Sequence, residues 1–135
     1  MKIDGNCHCG YLSYEAEIDP ETVVICHCAD CQMLSGSAFS VVVPAKMGTF
    51  KFRSGEPKYY IKTADSGNRR KQAFCPHCAT RLFSGPADDK VGFFGLRVGT
   101  IRQRDKLIPK EQIWCRSAQA WVDGIATIEP KSETE

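Results

Sequence analysis

Eight cysteines in 135 residues, seven of them crowded into three short clusters, constrain this chain more than any other feature. Cys7 and Cys9 form C-x-C, Cys26, Cys28 and Cys31 form C-x-C-x-x-C, and Cys75 and Cys78 form C-x-x-C, while Cys115 stands apart. So many thiols in one small chain point to disulfides, metal or redox chemistry, and the compartment decides between them. The opening MKIDGNCHCG has no apolar stretch of the kind a secretory leader carries, which sets the expectation of a reducing, cytoplasmic setting where thiols stay free. No run approaches the roughly 18 apolar residues that a membrane-spanning helix needs. A disulfide framework is therefore the lesser reading, and metal leads.

A C-x-x-C turn aims two sulfurs at one point, and C-x-C places both on one face of an extended segment, so each cluster is half a site. A structural zinc takes four ligands in a closed tetrahedron, whereas a catalytic zinc keeps three protein ligands and an open position. Only one division of the seven leaves no cluster split: Cys7, Cys9, Cys75 and Cys78 around one metal, and Cys26, Cys28 and Cys31 around a second. The competing division joins Cys75 and Cys78 to Cys26 and Cys28, and leaves Cys7 and Cys9 with too few ligands. Burial of all seven as small apolar side chains is the bland alternative, and their clustering argues against it. Cys115, between Trp114 and Arg116, reads as such a core thiol in a strand.

Around these clusters the chain reads as mainly β. Tyr11 to Ile18 alternates, with Leu12, Tyr14, Ala16 and Ile18 on the buried face. Thr22 to Cys28, Ala38 to Val43, Lys71 to Phe74, Arg81 to Ser84, Val91 to Val98 and Gln112 to Arg116 read as further short strands. Thr49 to Arg53 and Lys58 to Thr63 flank Ser54-Gly55-Glu56-Pro57 and read as a hairpin. Ala29 to Leu34 predicts a short helix ended by Ser35 and Gly36. The expectation is a single domain over 1–130 with a polar tail over 131–135. Hydrophobic residues are 42% and charged residues 25%, an ordinary globular balance. A net charge of +2 is too small to imply a nucleic-acid or membrane partner. The stretch 51–71 holds seven basic and two acidic residues and is expected to be the solvated face of the hairpin rather than an anion contact.

His8, His27 and His77 each sit inside a cluster. In strand geometry His8 and His27 point away from the flanking cysteines, so they are expected to be neighbours of metal ligands, not ligands themselves. A zinc deaminase is excluded, because His27-Cys28 follows Cys26 where that class needs a Glu two residues on, and Pro76 lies inside the C-x-x-C instead of before it. A zinc held by three thiolates carries net charge −1, which weakens it as an activator of water. Its soft open position suits a substrate thiolate, which the N-terminus of the helix after Cys28 would help to stabilise.

The run Gly5-Asn6-Cys7-His8-Cys9-Gly10, then Cys26-His27-Cys28-Ala29-Asp30-Cys31 with Ser35-Gly36-Ser37-Ala38-Phe39, then Ser54-Gly55-Glu56-Pro57 and Phe74-Cys75-Pro76-His77-Cys78, resembles the glutathione-dependent formaldehyde-activating enzyme family, which includes centromere protein V. The resemblance extends to Pro109 and to the stretch from Ile113-Trp114 to Trp121. It implies a β-tent fold of short antiparallel sheets, a structural zinc on Cys7, Cys9, Cys75 and Cys78, and a catalytic zinc on Cys26, Cys28 and Cys31. It further implies carbon–sulfur lyase chemistry on the adduct of an aldehyde, formaldehyde, with a small thiol such as glutathione. The chain departs from the family pattern at Ala79, where glycine usually follows the C-x-x-C. The reading from another class is a non-catalytic, zinc-stabilised module that binds a protein or nucleic acid.

Overall fold

The computed structural model describes residues 1–88 and 93–134, and it is mainly β. Strands β1 (Lys2–Asn6), β2 (Ser13–Glu17) and β5 (Lys51–Ser54) form an antiparallel sheet in the order β1-β2-β5. A larger sheet uses β3 (Val24–Cys26), β4 (Ser40–Pro44), β6 (Lys58–Thr63), β7 (Arg69–Phe74), β8 (Arg81–Pro86), β9 (Gly95–Arg97) and β10 (Glu111–Ile113). Its order is β10-β3-β4-β9-β8-β7-β6, antiparallel except for the β10–β3 pair. The one α-helix among the described residues, α1 (Ala29–Ser35), ends at Gly36 in the left-handed region, as the Ser-Gly stop predicts.

The alternation in β2 works as the pattern demands. Leu12, Tyr14, Ala16 and Ile18 are buried on the face turned to the larger sheet, where they meet Val43, Leu82, Phe83 and Leu96. Phe50, Phe52, Phe83 and Phe94 fill the space between the sheets, with Phe83 and Phe94 rings 4.1 Å apart and Phe50 tilted at 4.9 Å from Phe94. Burying a side chain such as Leu82 or Leu96 contributes about 1.5–3 kcal/mol, so this layer carries much of the fold outside the thiol clusters. Isolated bridges, Gly5 with Ile101 and Ile18 with Ala45, tie the small sheet to the rest.

Several local expectations are corrected. The hairpin over 49–63 does not form: β5 pairs with β2 and β6 with β7, so the two strands lie in different sheets. The turn residues serve another end, because Gly55, at φ +76°, presses so closely on Tyr11 O that a Cβ would sit 2.5 Å from it. The chain is thereby handed from one sheet to the other. Thr22 lies in a 3-10 turn (Pro20–Thr22) capped by Asp19, not in β3. The strand expected over Gln112 to Arg116 stops at Ile113, because Trp114 takes φ +58° and Cys115–Ser117 coil into a 3-10 turn. Cys115 is consequently exposed and not a core residue. Of the strand expected over Val91 to Val98, β9 covers Gly95–Arg97, and Val91 and Gly92 lie outside the described residues, as does Glu135 of the tail. No described helix is long and apolar enough to cross a membrane.

Candidate metal centres

The four-cysteine cluster is assembled by two knuckles from distant parts of the chain. At the end of β1 the chain turns back, with Gly10 N–H donating to Cys7 O (3.1 Å) and Cys7 N–H to Leu12 O (3.0 Å). Cys7 and Cys9 thus occupy a tight turn rather than the extended segment the spacing suggests. After β7 the second knuckle closes through Ala79 N–H to Cys75 O (2.9 Å) and Cys75 N–H to Thr80 O (2.9 Å). Backbone amides converge on sulfur: Leu12 N–H donates to Cys7 Sγ (3.2 Å) and His77 N–H to Cys75 Sγ (3.3 Å). Such donors favour thiolate over thiol.

The sulfurs of Cys7, Cys9, Cys75 and Cys78 all lie within 4.8 Å of one another, with Cys7–Cys9 at 3.6 Å and Cys9–Cys75 at 3.7 Å. A tetrahedron with metal–sulfur bonds of about 2.3 Å has edges of about 3.8 Å, so the spacing fits zinc. Thr80 bridges the knuckles, since its hydroxyl accepts from His8 N–H (3.0 Å) and stands 3.2 Å from Cys78 Sγ. That hydroxyl holds the Cys78 thiol down at about 5. The Tyr11 and His77 rings stack at 4.1 Å across the same junction.

The second cluster is built locally. Cys26 ends β3, Cys28 is the N-cap of α1, and Cys31 sits in the helix's first turn, its N–H donating to Cys28 Sγ (3.2 Å). The helix start thus places a backbone donor on the Cys28 sulfur, although burial pushes that thiol up. The three sulfurs lie within 4.8 Å of one another and leave one corner of a tetrahedron without a protein ligand among the described residues. A hydrogen bond from Cys26, with the Arg97 charge and the Ser40 hydroxyl nearby, holds Cys31 down at about 5. Cys26, in donating that bond and being buried, is pushed up.

None of the three histidines joins either cluster. His8 is exposed, His77 stacks on Tyr11, and buried His27 places Nε2 2.7 Å from Gln112 Oε1, fastening the triplet loop to β10. Gln32 performs a similar task from α1, its Nε2 donating to His27 O and Ser117 O, both at 2.8 Å. Spacing gave no sign of Gln32, Gln112, Arg97 or Ser40, because each reaches the triplet through the fold and not through a motif. Thr80 differs in lying two residues after Cys78, beside the motif it serves.

A family model described as glutathione-dependent formaldehyde-activating enzyme matches residues 2–117. The chain belongs to that family. A search of curated proteins found no match. Among solved structures, the crystal structure of a Rhodobacter sphaeroides protein aligns with a TM-score of 0.60 at 18% identity, over 81% of this chain and 98% of that one, a likeness of fold. In this formaldehyde-activating family member, Ala79 sits in the left-handed region, at φ +64°, in the second knuckle. The left-handed conformation costs a residue with a Cβ about 1–2 kcal/mol, part of which glycine gives back through its freer unfolded chain. Ala79→Gly is expected to raise stability by roughly 0.5–1 kcal/mol and Tm by a few degrees, read by thermal melts, with metal content unchanged. A lower Tm would show that the Ala79 methyl makes a contact worth more than the strain.

Proposed function

We propose that this protein is a zinc-dependent carbon–sulfur lyase that joins or splits a small thiol and an aldehyde at the Cys26, Cys28 and Cys31 cluster, with Cys7, Cys9, Cys75 and Cys78 holding a structural zinc. The observation that carries the reading is that Cys26 and Cys31 form part of the wall of a cavity of about 190 Å³, so two of the three triplet residues border space for a ligand. Family membership supplies formaldehyde and glutathione as the founding pair of reactants. Zinc bound by the three thiolates would supply a soft fourth position at which an incoming thiol gives up its proton.

The reaction is an addition without oxidation. The thiol sulfur forms a bond to the carbonyl carbon, the C=O π pair moves to oxygen, and that oxygen takes one proton; the reverse is the lyase direction. The chain's own residues prepare for it. The Cys31 N–H and the first turn of α1 hold thiolate charge in place, and the Arg97 guanidinium, on the cavity wall, opposes negative charge that gathers on the aldehyde oxygen.

The test is metal analysis followed by titration of the cobalt-loaded protein with glutathione, cysteine and 3-mercaptopropionate. Two metal equivalents are expected, one resistant to graded chelation and one released while the fold persists. At least one thiol is expected to add a thiolate-to-cobalt charge-transfer band. Saturating thiols that leave the spectrum unchanged would instead favour the non-catalytic module.

A further inference from the structure

The cavity beside the triplet has a second polar end. Arg70 on β7 and Arg97 on β9 line it together with Gln72 and Ser84, while Phe93 and Ile113 contribute apolar wall. Arg97 and Arg81 both donate to a single neutral acceptor, Gln72 Oε1, Arg97 Nη2 at 3.2 Å, and Gln72 is buried. Arg70 Nη2 donates to the carbonyl and hydroxyl oxygens of Ser84, both at 3.1 Å. Among the described residues no carboxylate forms an ion pair with any of the three, although buried arginines are ordinarily matched by one.

The three arginines are not equally committed. Arg97 and Arg81 converge on the one Gln72 Oε1. Arg70 spends only Nη2, on the two oxygens of Ser84. The basic stretch expected to be a solvated face therefore sends Arg70 inward, half-buried, with its Nε and Nη1 meeting no protein acceptor among the described residues. The one carboxylate on the cavity wall, Asp30, is paired with Lys62, so a planar guanidinium fork with donors to spare is matched by a carboxylate from outside the chain.

We infer that this cavity binds the carboxylate of the substrate on Arg70, so that the preferred thiol is a compact mercapto acid whose sulfur reaches the Cys26–Cys28–Cys31 corner. The inference rests on the reading of the triplet as a thiol site and narrows its substrate class. Size points the same way, because a cavity of about 150 Å³ accommodates benzene, and 190 Å³ suits a molecule only slightly larger, below a tripeptide.

The experiment compares 3-mercaptopropionate with its neutral counterpart 3-mercapto-1-propanol on the cobalt-loaded protein, in the wild type, Arg70→Lys and Arg70→Met. In the wild type the acid is expected to bind about ten- to a hundredfold more tightly, as charge-assisted hydrogen bonds imply. Arg70→Met should bring the acid-to-alcohol ratio, measured within that variant, to about one, and Arg70→Lys should recover part of it. Equal affinities in the wild type, or a preference that survives Arg70→Met, would overturn the inference. Sulfur-free propionate, followed by the backbone amide NMR signals of Gln72, Ser84 and Leu96, separates the two layers. If neither thiol adds a charge-transfer band, the thiol-site reading fails, and the carboxylate assignment stands only where propionate shifts those signals in the wild type and not in Arg70→Met. Silence from propionate in that case overturns both.

Discussion

Cys78→Ala is expected to leave the chain insoluble or unfolded, whereas Cys28→Ala is expected to leave it folded and without thiol-adduct turnover. The difference follows from what each cluster ties together. Cys78 belongs to a site joining the turn after β1 to the turn after β7, with Cys9 and Cys75 sulfurs 3.7 Å apart across 66 residues of chain. A structural zinc in a small domain contributes on the order of 10 kcal/mol. Losing most of that removes the greater part of a net stability of about 5–15 kcal/mol. The apolar layer between the sheets does not compensate, since its gain already stands against conformational entropy of similar size.

Cys28, by contrast, belongs to a cluster confined to residues 26–31, where the loop is also held by His27 on Gln112 and by Gln32 on Ser117. Its removal costs the N-cap bond to Cys31 N–H, about 1 kcal/mol, and one of three metal ligands. Thermal melts, metal content and turnover of formaldehyde with a thiol, measured on both variants, decide the matter. A well-folded Cys78→Ala beside an unfolded Cys28→Ala would show the structural and reactive sites to be reversed.

The second large effect is expected at Gly5. A Cβ at this position would lie 2.4 Å from Thr100 O and 2.5 Å from Tyr14 Cζ and Oη. None of these can yield cheaply. Thr100 O is backbone, and Tyr14 is fully buried with its hydroxyl 2.7 Å from Thr100 Oγ1. Gly5 also bridges to Ile101 immediately before the first knuckle. Overpacking costs about 1–3 kcal/mol and occasionally more, and contact with immovable backbone belongs at the upper end. Gly5→Ala should therefore lower Tm by roughly 10 °C or more. Gly99→Ala is the control, since a Cβ there meets nothing within 4 Å, and its stability should change by no more than about 0.5 kcal/mol. Equal melting of Gly5→Ala and the wild type would mean that β1 can move away from Tyr14 without loss.

What could be read from the chain alone were the features whose cause is local. The alternation from Leu12 to Ile18 specifies a half-buried strand because side chains in a strand point alternately to opposite faces. The helix after Cys28 follows from a run without β-branched residues and a glycine stop, and the division of seven cysteines into four and three follows from ligand number. Pairing between strands was not legible. Lys51–Ser54 and Lys58–Thr63 have polar patterns compatible with a hairpin, yet they pair with β2 and β7 in different sheets, with Gly55 packed on Tyr11 between them. Trp114 in the left-handed region, which exposes Cys115, likewise has no local sign, since a bulky residue enters that conformation only when its surroundings hold it there. The arginines around the cavity belong to the same class. Arg70, Arg81 and Arg97 are ordinary charged residues in sequence and converge because β7, β8 and β9 are neighbours in the larger sheet. Ligand chemistry and side-chain alternation are short-range and survive in the order of residues, whereas the shape and charge of a cavity are made by chain segments that meet only when the sheet is complete.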